Sequence, residues 1–302
     1  MFDSICACLT EFNNFFKRNK LRDSGSIRMI LLVHSKCDVA GVNIAESVLQ
    51  HYPFKMTSQM YQETPVYVAE IGGKQISFLT LKEEAVKSQC LGDDFPNAQL
   101  VVFISRHSSQ SGKPTLSVHT TGNFGEAELG GLTRTLSIAP AAAMQSALRA
   151  FCSLKQELNL DYEVSYEGTH HGPTLNLPVM FVELGSSEPQ WNDLTAARVV
   201  GDAAMTAIAN FSSPSDSAVL GVGGPHYNQK FSRVALAGEA AFGHIIPKYA
   251  VSNVDSEMIS QCVHKTLEKV SLAILDWKGI TSQDKPKLLS ALQEVGLPFK
   301  KV

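Results

Sequence analysis

The sequence predicts an α/β fold with a mostly parallel or mixed sheet flanked by helices. Apolar segments of strand length alternate along the chain with segments whose apolar residues recur at helical spacing. The segment QLVVFIS at 99–105 contains a continuous apolar run, which is typical of a strand covered by helices on both faces. The 302 residues, 44% of them hydrophobic and 18% charged, are enough for one large domain or two lobes.

The individual elements follow from this alternation. Gly72 and Gly73 separate two strand-like segments, PVYVAEI and QISFLTL, and so predict a β-hairpin. The other predicted strands span 28–34, 99–105, 115–119, 161–167, 179–185 and 218–224. A glycine-rich loop is predicted at 122–131, and the predicted helices span 40–52, 140–158, 189–210, 255–276 and 285–295.

Composition narrows the classes of function. The net charge is −3 and the isoelectric point about 6.3, so any contact with nucleic acid must come from a local basic patch. The six cysteines are scattered, which indicates reduced thiols in an intracellular, cytoplasmic protein. The apolar runs are too short to span a membrane. Residues 1–27 differ in character from the rest and are predicted to be a flexible extension before a single domain over 28–302.

Histidines collect where predicted strands end. His107 follows 99–105, His119 ends 115–119, His170 and His171 follow 161–167, and His226 follows 218–224. Ligands of open α/β sheets bind outside the carboxyl ends of the strands. We therefore expect His170, His171 and His226 to converge in one pocket.

The segment YEGTHHGPT at 166–174 contains the strongest candidates. Glu167, His170 and His171 are a carboxylate and two imidazoles close in sequence, a set that binds zinc or acts as base and acid. The structural alternative is a turn whose histidines bond to nearby carbonyl groups. An adjacent pair of histidines is an inefficient way to fill a core, because neighbouring strand residues point to opposite faces.

Other candidates have weaker support. The NH groups of Gly223 and Gly224, before His226, could hold a phosphate or an oxyanion, and Tyr227 could supply a hydroxyl donor or simply pack. Arg106 and Lys113 could contact a phosphate or lie in a solvated loop. His244, in FGHII, could be a ligand or a hydrogen-bonded core residue.

Several known site motifs are missing from the sequence. It has no Walker loop, no GxGxxG after a strand, no CxxC and no GxSxG, which disfavours nucleotide, iron–sulfur and serine-nucleophile chemistry. The residues by themselves indicate a hydrolase that uses histidines, a carboxylate and zinc.

Four segments together resemble the archaeal and plant type of D-aminoacyl-tRNA deacylase. They are SRHSSQSGKPTLSVHTTGNFG (105–125), EGTHHGPTLNLPVMFVELGSS (167–187), GVGGPHYNQKF (221–231) and FGHIIPKYA (242–250). They stand in the family order, and the resemblance extends from about Met29 to near the end of the chain. Pro225 stands where we expect glycine in many members.

The resemblance implies a phosphorylase/hydrolase-like fold and hydrolysis of the ester that joins a D-amino acid to the 3′ end of tRNA, including esters whose amino group carries a small aldehyde adduct. It also implies dependence on zinc. The expected catalytic residues are Glu167, His170, His171 and His226, and the expected zinc ligands are His170, His171, His226 and His244. The expected substrate contacts are Arg106, His107, His119, Gly223, Gly224 and Tyr227.

Three alternatives remain open at this point. A zinc peptidase or amidohydrolase of the same fold class would cleave peptides, a tRNA- or metal-binding protein would lack catalysis, and a nucleoside phosphorylase would need a firm phosphate pocket. The expected partner is D-aminoacyl-tRNA, without DNA or a membrane, and the expected state is a monomer. The candidate tRNA contacts are Arg106, Lys113, Lys230, Arg233, Lys248 and the basic residues near the carboxyl terminus.

Overall fold

The computed structural model describes residues 29–212 and 217–302. The strands are β1 (Met29–Ser35), β2 (Lys55–Tyr61), β3 (Thr64–Ile71), β4 (Lys74–Leu81), β5 (Ala98–Arg106), β6 (Thr115–His119), β7 (Glu163–Tyr166), β8 (Val179–Gly185), β9 (Ser217–Val222), β10 (Ala241–Ile246), β11 (Lys269–Leu275) and β12 (Phe299–Lys301). The helices are α1 (Val39–His51), α2 (Leu91–Asp94), α3 (Ala141–Glu157), α4 (Glu188–Trp191), α5 (Leu194–Asn210), α6 (Gln229–Leu236), α7 (Ser256–His264) and α8 (Lys285–Val295).

The larger sheet has eight strands in the order β2-β3-β4-β1-β5-β8-β6-β7. The central pairs β4/β1, β1/β5 and β5/β8 are parallel, whereas β6 runs antiparallel to β8 and carries β7 parallel to itself. The prediction of a mixed α/β sheet is therefore confirmed. The hairpin is also confirmed: Ile71 pairs with Lys74, and Gly72 and Gly73 both have positive φ, as a tight two-residue turn requires.

A second sheet of four parallel strands has the order β10-β9-β11-β12. One of its faces contributes Val219, Phe242 and Ile274 to the apolar core that also contains residues of the larger sheet, α1, α3 and α5. Its other face packs against α7 and α8 in a separate apolar cluster. The two sheets thus share one core, which holds their loops in fixed relation.

The opposite face of the larger sheet has a smaller apolar cluster, which contains Phe103 of β5 and Phe181 of β8. Side chains alternate between the two faces of a strand. Glu183, two residues after Phe181, therefore lies on this second face, away from α1, α3 and α5.

Some predicted elements differ from the structure. The predicted helix at 255–276 is wrong beyond His264, because residues 269–275 form a central strand of the second sheet. The predicted helix at 189–210 is broken near Asp193, whose side chain accepts from the NH groups of Thr195 and Ala196 and so begins α5. Strands β2, β10 and β12 and helices α2 and α6 were not predicted.

The predicted extension at 1–27 lies outside the described residues. Within 29–212 and 217–302, no helix is both long enough and apolar enough to cross a membrane.

Candidate active site

The ends of three strands bring the candidate residues together. His107 follows β5, His119 is the last residue of β6, and Glu167 follows β7. The NH of Glu167 donates to the carbonyl oxygen of Val118 in β6 at 3.0 Å. Because β6 and β7 run opposite to β5 and β8, these ends do not form one carboxyl edge. The site forms where the strand direction reverses.

Glu183 lies within a buried polar row that crosses the sheet. The register pairs Glu183 with Ser105 of β5 and Ser117 of β6, and Ser117 pairs with Ser165 of β7. The hydroxyl of Ser105 donates to Glu183 Oε1 at 2.6 Å. Sequence analysis missed Glu183, although a single carboxylate inside the apolar strand VMFVELG was the observation that could have found it.

Glu167 is buried and contacts three imidazoles. Its Oε2 lies 2.8 Å from Nε2 of His226 and 3.7 Å from Nε2 of His170, and its Oε1 lies 3.2 Å from Nδ1 of His107. An ionised carboxylate only accepts hydrogen bonds, so Nε2 of His226 must be the protonated nitrogen in this pair.

Glu183 contacts two imidazoles of the same group, those of His107 and His119. Its Oε2 lies 3.5 Å from Nδ1 of His107 and 3.6 Å from Nε2 of His119. The ring of His171 lies against this group, with centroid distances of 4.2 Å to His170 and 4.9 Å to His119. Together these residues form the histidine–glutamate cluster: His107, His119, Glu167, His170, His171, Glu183 and His226.

His226 reaches the cluster from the second sheet. After β9, Tyr227 forms an antiparallel bridge with Glu167, and the NH of Gly168 donates to the carbonyl oxygen of His226 at 2.9 Å. The rings of His170 and His226 are 4.4 Å apart. The expected convergence of His170, His171 and His226 is therefore confirmed.

Three of the histidines share one hydrogen-bonding pattern. Nδ1 of His119 bonds to the carbonyl oxygen of Thr120 at 3.0 Å, and Nδ1 of His170 bonds to that of Gly168 at 2.9 Å. Nδ1 of His171 bonds to the carbonyl oxygen of Gly172 at 2.6 Å. A carbonyl oxygen only accepts, so Nδ1 carries the proton in each ring, and the lone pair is on Nε2 when the ring is neutral. Burial opposes the charged form of His119, but the contact with Glu183 outweighs burial and raises the pKa of His119.

The charge states within the cluster differ. Burial lowers the pKa of His170 well below its ordinary value, and the neighbouring rings of His171 and His119 add to this effect. Burial likewise lowers the pKa of His171 to about 4. Both rings are therefore neutral near pH 7, as a metal ligand or proton acceptor must be.

His107 has the opposite character. Burial opposes its charged form, but the charge of Glu167 and the bond and charge of Glu183 outweigh burial and raise the pKa to about 9. Burial also opposes the ionisation of Glu183, but its contacts with His107 and His119 hold its pKa well below the usual range. The interior of the cluster thus contains ionised carboxylates beside a protonated imidazole.

Comparison with known proteins decides the family. Residues 94–300 match the D-aminoacyl-tRNA deacylase family. The chain is 34% identical over 280 residues to D-aminoacyl-tRNA deacylase of Pyrococcus abyssi, which covers 90% of this chain and 100% of that protein. The chain belongs to the D-aminoacyl-tRNA deacylase family.

Two further proteins are similar to this chain. D-aminoacyl-tRNA deacylase of Thermococcus kodakarensis is 33% identical over 278 residues, which are 90% of this chain and 99% of that protein. A crystal structure described as a conserved protein of unknown function, AF0625, matches with a TM-score of 0.81 and 28% identity, covering 91% of this chain and 95% of that one. This chain therefore shares its fold with that protein.

The donor set of the cluster fits the zinc that the family resemblance implies. His119, His170 and His171 offer ligand atoms that all lie within 4.8 Å of one another, as do Glu167, His170 and His226, and His107, Glu167 and Glu183. Zinc binds imidazole nitrogen and carboxylate oxygen. Apart from their ion-pair contacts with His107 and Glu183, Glu167 Oε1 and His119 Nε2 are also buried without a hydrogen-bond partner, and such atoms are costly unless something binds them.

The structure separates His244 from the cluster. His244 is buried, with Nδ1 3.2 Å from the hydroxyl of Thr169 and Nε2 2.9 Å from the carbonyl oxygen of Lys265. Both ring nitrogens have partners within the core, so the expected ligand role has no free lone pair to support it. Burial lowers the pKa of His244 to about 4.

The NH groups of the two glycines before His226 do not have the expected role of binding a phosphate or an oxyanion. The NH of Gly223 donates to the carbonyl oxygen of Ile246 at 2.8 Å, and that of Gly224 faces the carbonyl oxygen of Gly279 at 3.4 Å. Both have positive φ and pack against residues 276–280. These NH groups maintain the loop and are not directed at an oxyanion.

Arg106 also lies apart from the cluster. Its Nη2 is 3.1 Å from Glu84 Oε1, and its guanidinium lies 5.6 Å from the ring centre of Trp191. Tyr227, in contrast, belongs to the site, because its hydroxyl is hydrogen-bonded to Nε2 of His107. The indole NH of Trp191 donates to the carbonyl oxygen of His107 at 2.8 Å and fixes its backbone.

The glycine-rich loop is clamped against the histidine pair. The NH of Gly172 donates to the carbonyl oxygen of Leu129 at 3.0 Å. Gly130 and Gly131 have positive φ, and a Cβ on Gly130 would overlap the carbonyl group of Val86. His171 itself has a φ of 42°, which is uncommon for a side chain of this size. The close backbone packing of this loop holds that conformation.

Proposed function

We propose that this protein hydrolyses the ester bond of D-aminoacyl-tRNA, releasing a free D-amino acid and tRNA, with zinc bound by the histidine–glutamate cluster. The observation that carries the proposal is the Glu167–His226 pair beside three imidazoles whose Nδ1 atoms are all bonded to backbone carbonyl groups, in a chain of the deacylase family.

His226 acts as the general base. Glu167 accepts from Nε2 of His226, so the lone pair lies on Nδ1, which is 3.1 Å from the hydroxyl of Tyr249. Nδ1 can therefore take the proton of a water that attacks the ester carbonyl. When the tetrahedral intermediate collapses, the same proton passes to the 3′ oxygen of the terminal ribose, and tRNA leaves.

His119, His170 and His171 would hold zinc through Nε2, since their Nδ1 atoms are bonded to carbonyl oxygens. Zinc bound there would polarise the ester carbonyl group and lower the pKa of water. The backbone bonds at Nδ1 fix each ring in its orientation, which is a common feature around metal-bound histidines.

His107 and Tyr227 stabilise the negative charge that develops on the carbonyl oxygen of the ester in the tetrahedral intermediate. Protonated His107 donates from Nε2 to the phenol oxygen of Tyr227, so the hydroxyl proton of Tyr227 is available for the substrate. Glu167 and Glu183 hold the other nitrogen of His107 and keep the ring charged.

The test compares substrates and enantiomers with metal-loaded protein. We expect D-Tyr-tRNA, and its acetaldehyde adduct, to be hydrolysed much faster than L-Tyr-tRNA. Equal rates on both enantiomers, or cleavage of a peptide panel or of inosine with phosphate in preference to tRNA, would contradict the proposal. Because charged tRNA is used in translation, we expect the protein to act in the cytoplasm. We also expect it to be a monomer.

A further inference from the structure

We infer that a lysine-rich surface beside His226 docks the double-stranded acceptor end of the tRNA, an inference that rests on the proposed function. We call it the lysine surface, and it consists of Lys248, Lys278, Lys285, Lys287, Lys300 and Lys301.

The lysine surface begins at the active site. Tyr249, which is 58% exposed, has its hydroxyl 3.1 Å from Nδ1 of His226. The NH of the preceding residue, Lys248, donates to the carbonyl oxygen of Gly224 at 2.9 Å. The NH of Gly224 in turn faces Gly279, next to exposed Lys278. The base and the first lysines are thus held together by one set of backbone contacts.

The surface continues around Trp277, at the carboxyl end of β11. Nζ of Lys285 lies 4.5 Å from the ring centre of Trp277, and Nζ of Lys301 lies 3.8 Å from it. Lys300 and Lys301 are in β12, an edge strand in which all three residues are exposed. Nζ of Lys287 donates to a carbonyl oxygen and to no carboxylate. Trp277, which precedes Lys278, thus brings Lys285 and Lys301 close to one another.

The lysines of this surface make no direct contact with a carboxylate of the described residues, although Asp255 is near enough to Lys287 for the two charges to interact. Within 29–212 and 217–302, none of its six lysines forms an ion pair, whereas Arg106, Arg134, Arg198 and Lys230 are each paired with a carboxylate. Asp276, the carboxylate beneath the surface, is buried and paired with Lys230. In a chain of net charge −3, these six lysines thus concentrate positive charge beside the base.

An RNA duplex fits this arrangement. With the 3′ ester at His226, the stem that follows must pass over an adjacent surface, and phosphate groups are neutralised by lysines. Lysine contacts to phosphate do not read base sequence, which suits a substrate distinguished by its ester bond. Tyr249, which is exposed, adds an aromatic face on which an unpaired terminal base can stack.

The experiment compares a docking variant with a matched control on two substrates. The docking variant is Lys278→Gln/Lys285→Gln/Lys300→Gln/Lys301→Gln. The control is Lys55→Gln/Lys269→Gln, which removes exposed lysines from the far edge of the larger sheet and from the amino end of β11. The substrates are D-Tyr-tRNA and 3′-O-D-tyrosyl-adenosine, which has the ester but no stem.

We expect the docking variant to lower kcat/KM on D-Tyr-tRNA by at least about tenfold near 0.1 M salt, mainly through KM, with D-tyrosyl-adenosine unaffected. The control should match the wild type on both substrates. An unchanged kcat/KM on D-Tyr-tRNA, or an equal loss on both substrates, would overturn the inference.

Direct binding separates this inference from the proposed function. Binding of uncharged tRNA should weaken in the docking variant, and the slope of log K against log salt should decrease by about 0.9 per lost phosphate contact. This result would support docking even if no ester were hydrolysed. Unchanged tRNA binding with lost binding to phosphatidylserine-containing vesicles would assign the surface to a membrane instead.

Discussion

Nε2 of His226 lies 2.8 Å from Oε2 of Glu167, although the two residues are 59 positions apart and follow strands of different sheets. The pair is held by the antiparallel bridge between Glu167 and Tyr227. A buried carboxylate that accepts from one nitrogen of an imidazole decides which tautomer the imidazole adopts.

Glu167→Gln should therefore lower kcat by about 10³ to 10⁴, as expected when the carboxylate that fixes a catalytic histidine becomes an amide. The amide NH2 of glutamine can donate to Nε2 of His226 and force the proton onto Nδ1. Single-turnover hydrolysis of D-Tyr-tRNA measures this loss. Glu163→Gln, on the preceding strand and outside the cluster, should retain wild-type turnover, and a similar loss there would show that the effect is not specific.

His170→Ala should abolish turnover and reduce bound zinc while leaving the fold intact. His170 is shared by two of the three possible ligand groups, and the apolar cores do not include it. Metal analysis and activity after chelation, with zinc added back, provide the measurement. Full activity of the chelated protein, together with wild-type zinc content in the variant, would leave these histidines with acid–base or binding roles only.

Buried His244 should make the protein less stable in mild acid. Its folded pKa of about 4 lies below the ordinary value of 6.5, so the unfolded chain binds a proton between these values and the folded chain does not. Its contribution to stability is complete above pH 6.5 and is lost as the pH falls toward 4, by about 2 kcal/mol between pH 7 and 5.

Urea unfolding of His244→Gln at pH 7 and pH 5 tests this expectation. The free energy of unfolding should depend less on pH in the variant than in the wild type. His264→Gln, which changes an exposed histidine at the end of α7, is the matched control and should keep the wild-type dependence. The same pH dependence in all three proteins would show that His244 does not titrate in this range.

Two glycine variants distinguish the effect of tight packing in the glycine-rich loop from the energetic cost of a side chain at positive φ. Gly130 and Gly112 both have positive φ, but a Cβ on Gly130 would overlap Val86, whereas one on Gly112 would meet nothing within 4 Å. Gly112→Ala should cost about 1 kcal/mol from backbone strain alone.

Gly130→Ala should cost more than Gly112→Ala and should also lower kcat, because a displaced loop loses the bond between Gly172 and Leu129 that supports His171. Thermal unfolding and turnover of both variants measure these effects. Equal stability and equal turnover would show that the loop moves without affecting the histidine pair.

The local pattern of residues was sufficient to predict some strands and turns but not others. The continuous apolar segments at 99–105 and 179–185 are strands because both of their faces are buried, and the hairpin at Gly72-Gly73 follows from turn chemistry. Residues 269–275 were predicted as helix because their periodicity is ambiguous. Pairing with β9, more than 40 residues earlier in the chain, makes them a strand.

The sequence by itself determined the α/β class, the deacylase resemblance, and the residues Glu167, His170, His171 and His226, because these depend on residue type and on order along the chain. Only the tertiary structure decided that β6 runs against β8, that Glu183 joins the cluster, and that His244 and the NH groups of Gly223 and Gly224 have other partners. The physical reason is that strand direction, register and hydrogen-bond pairing are set by contacts between distant segments, and local spacing does not encode those contacts.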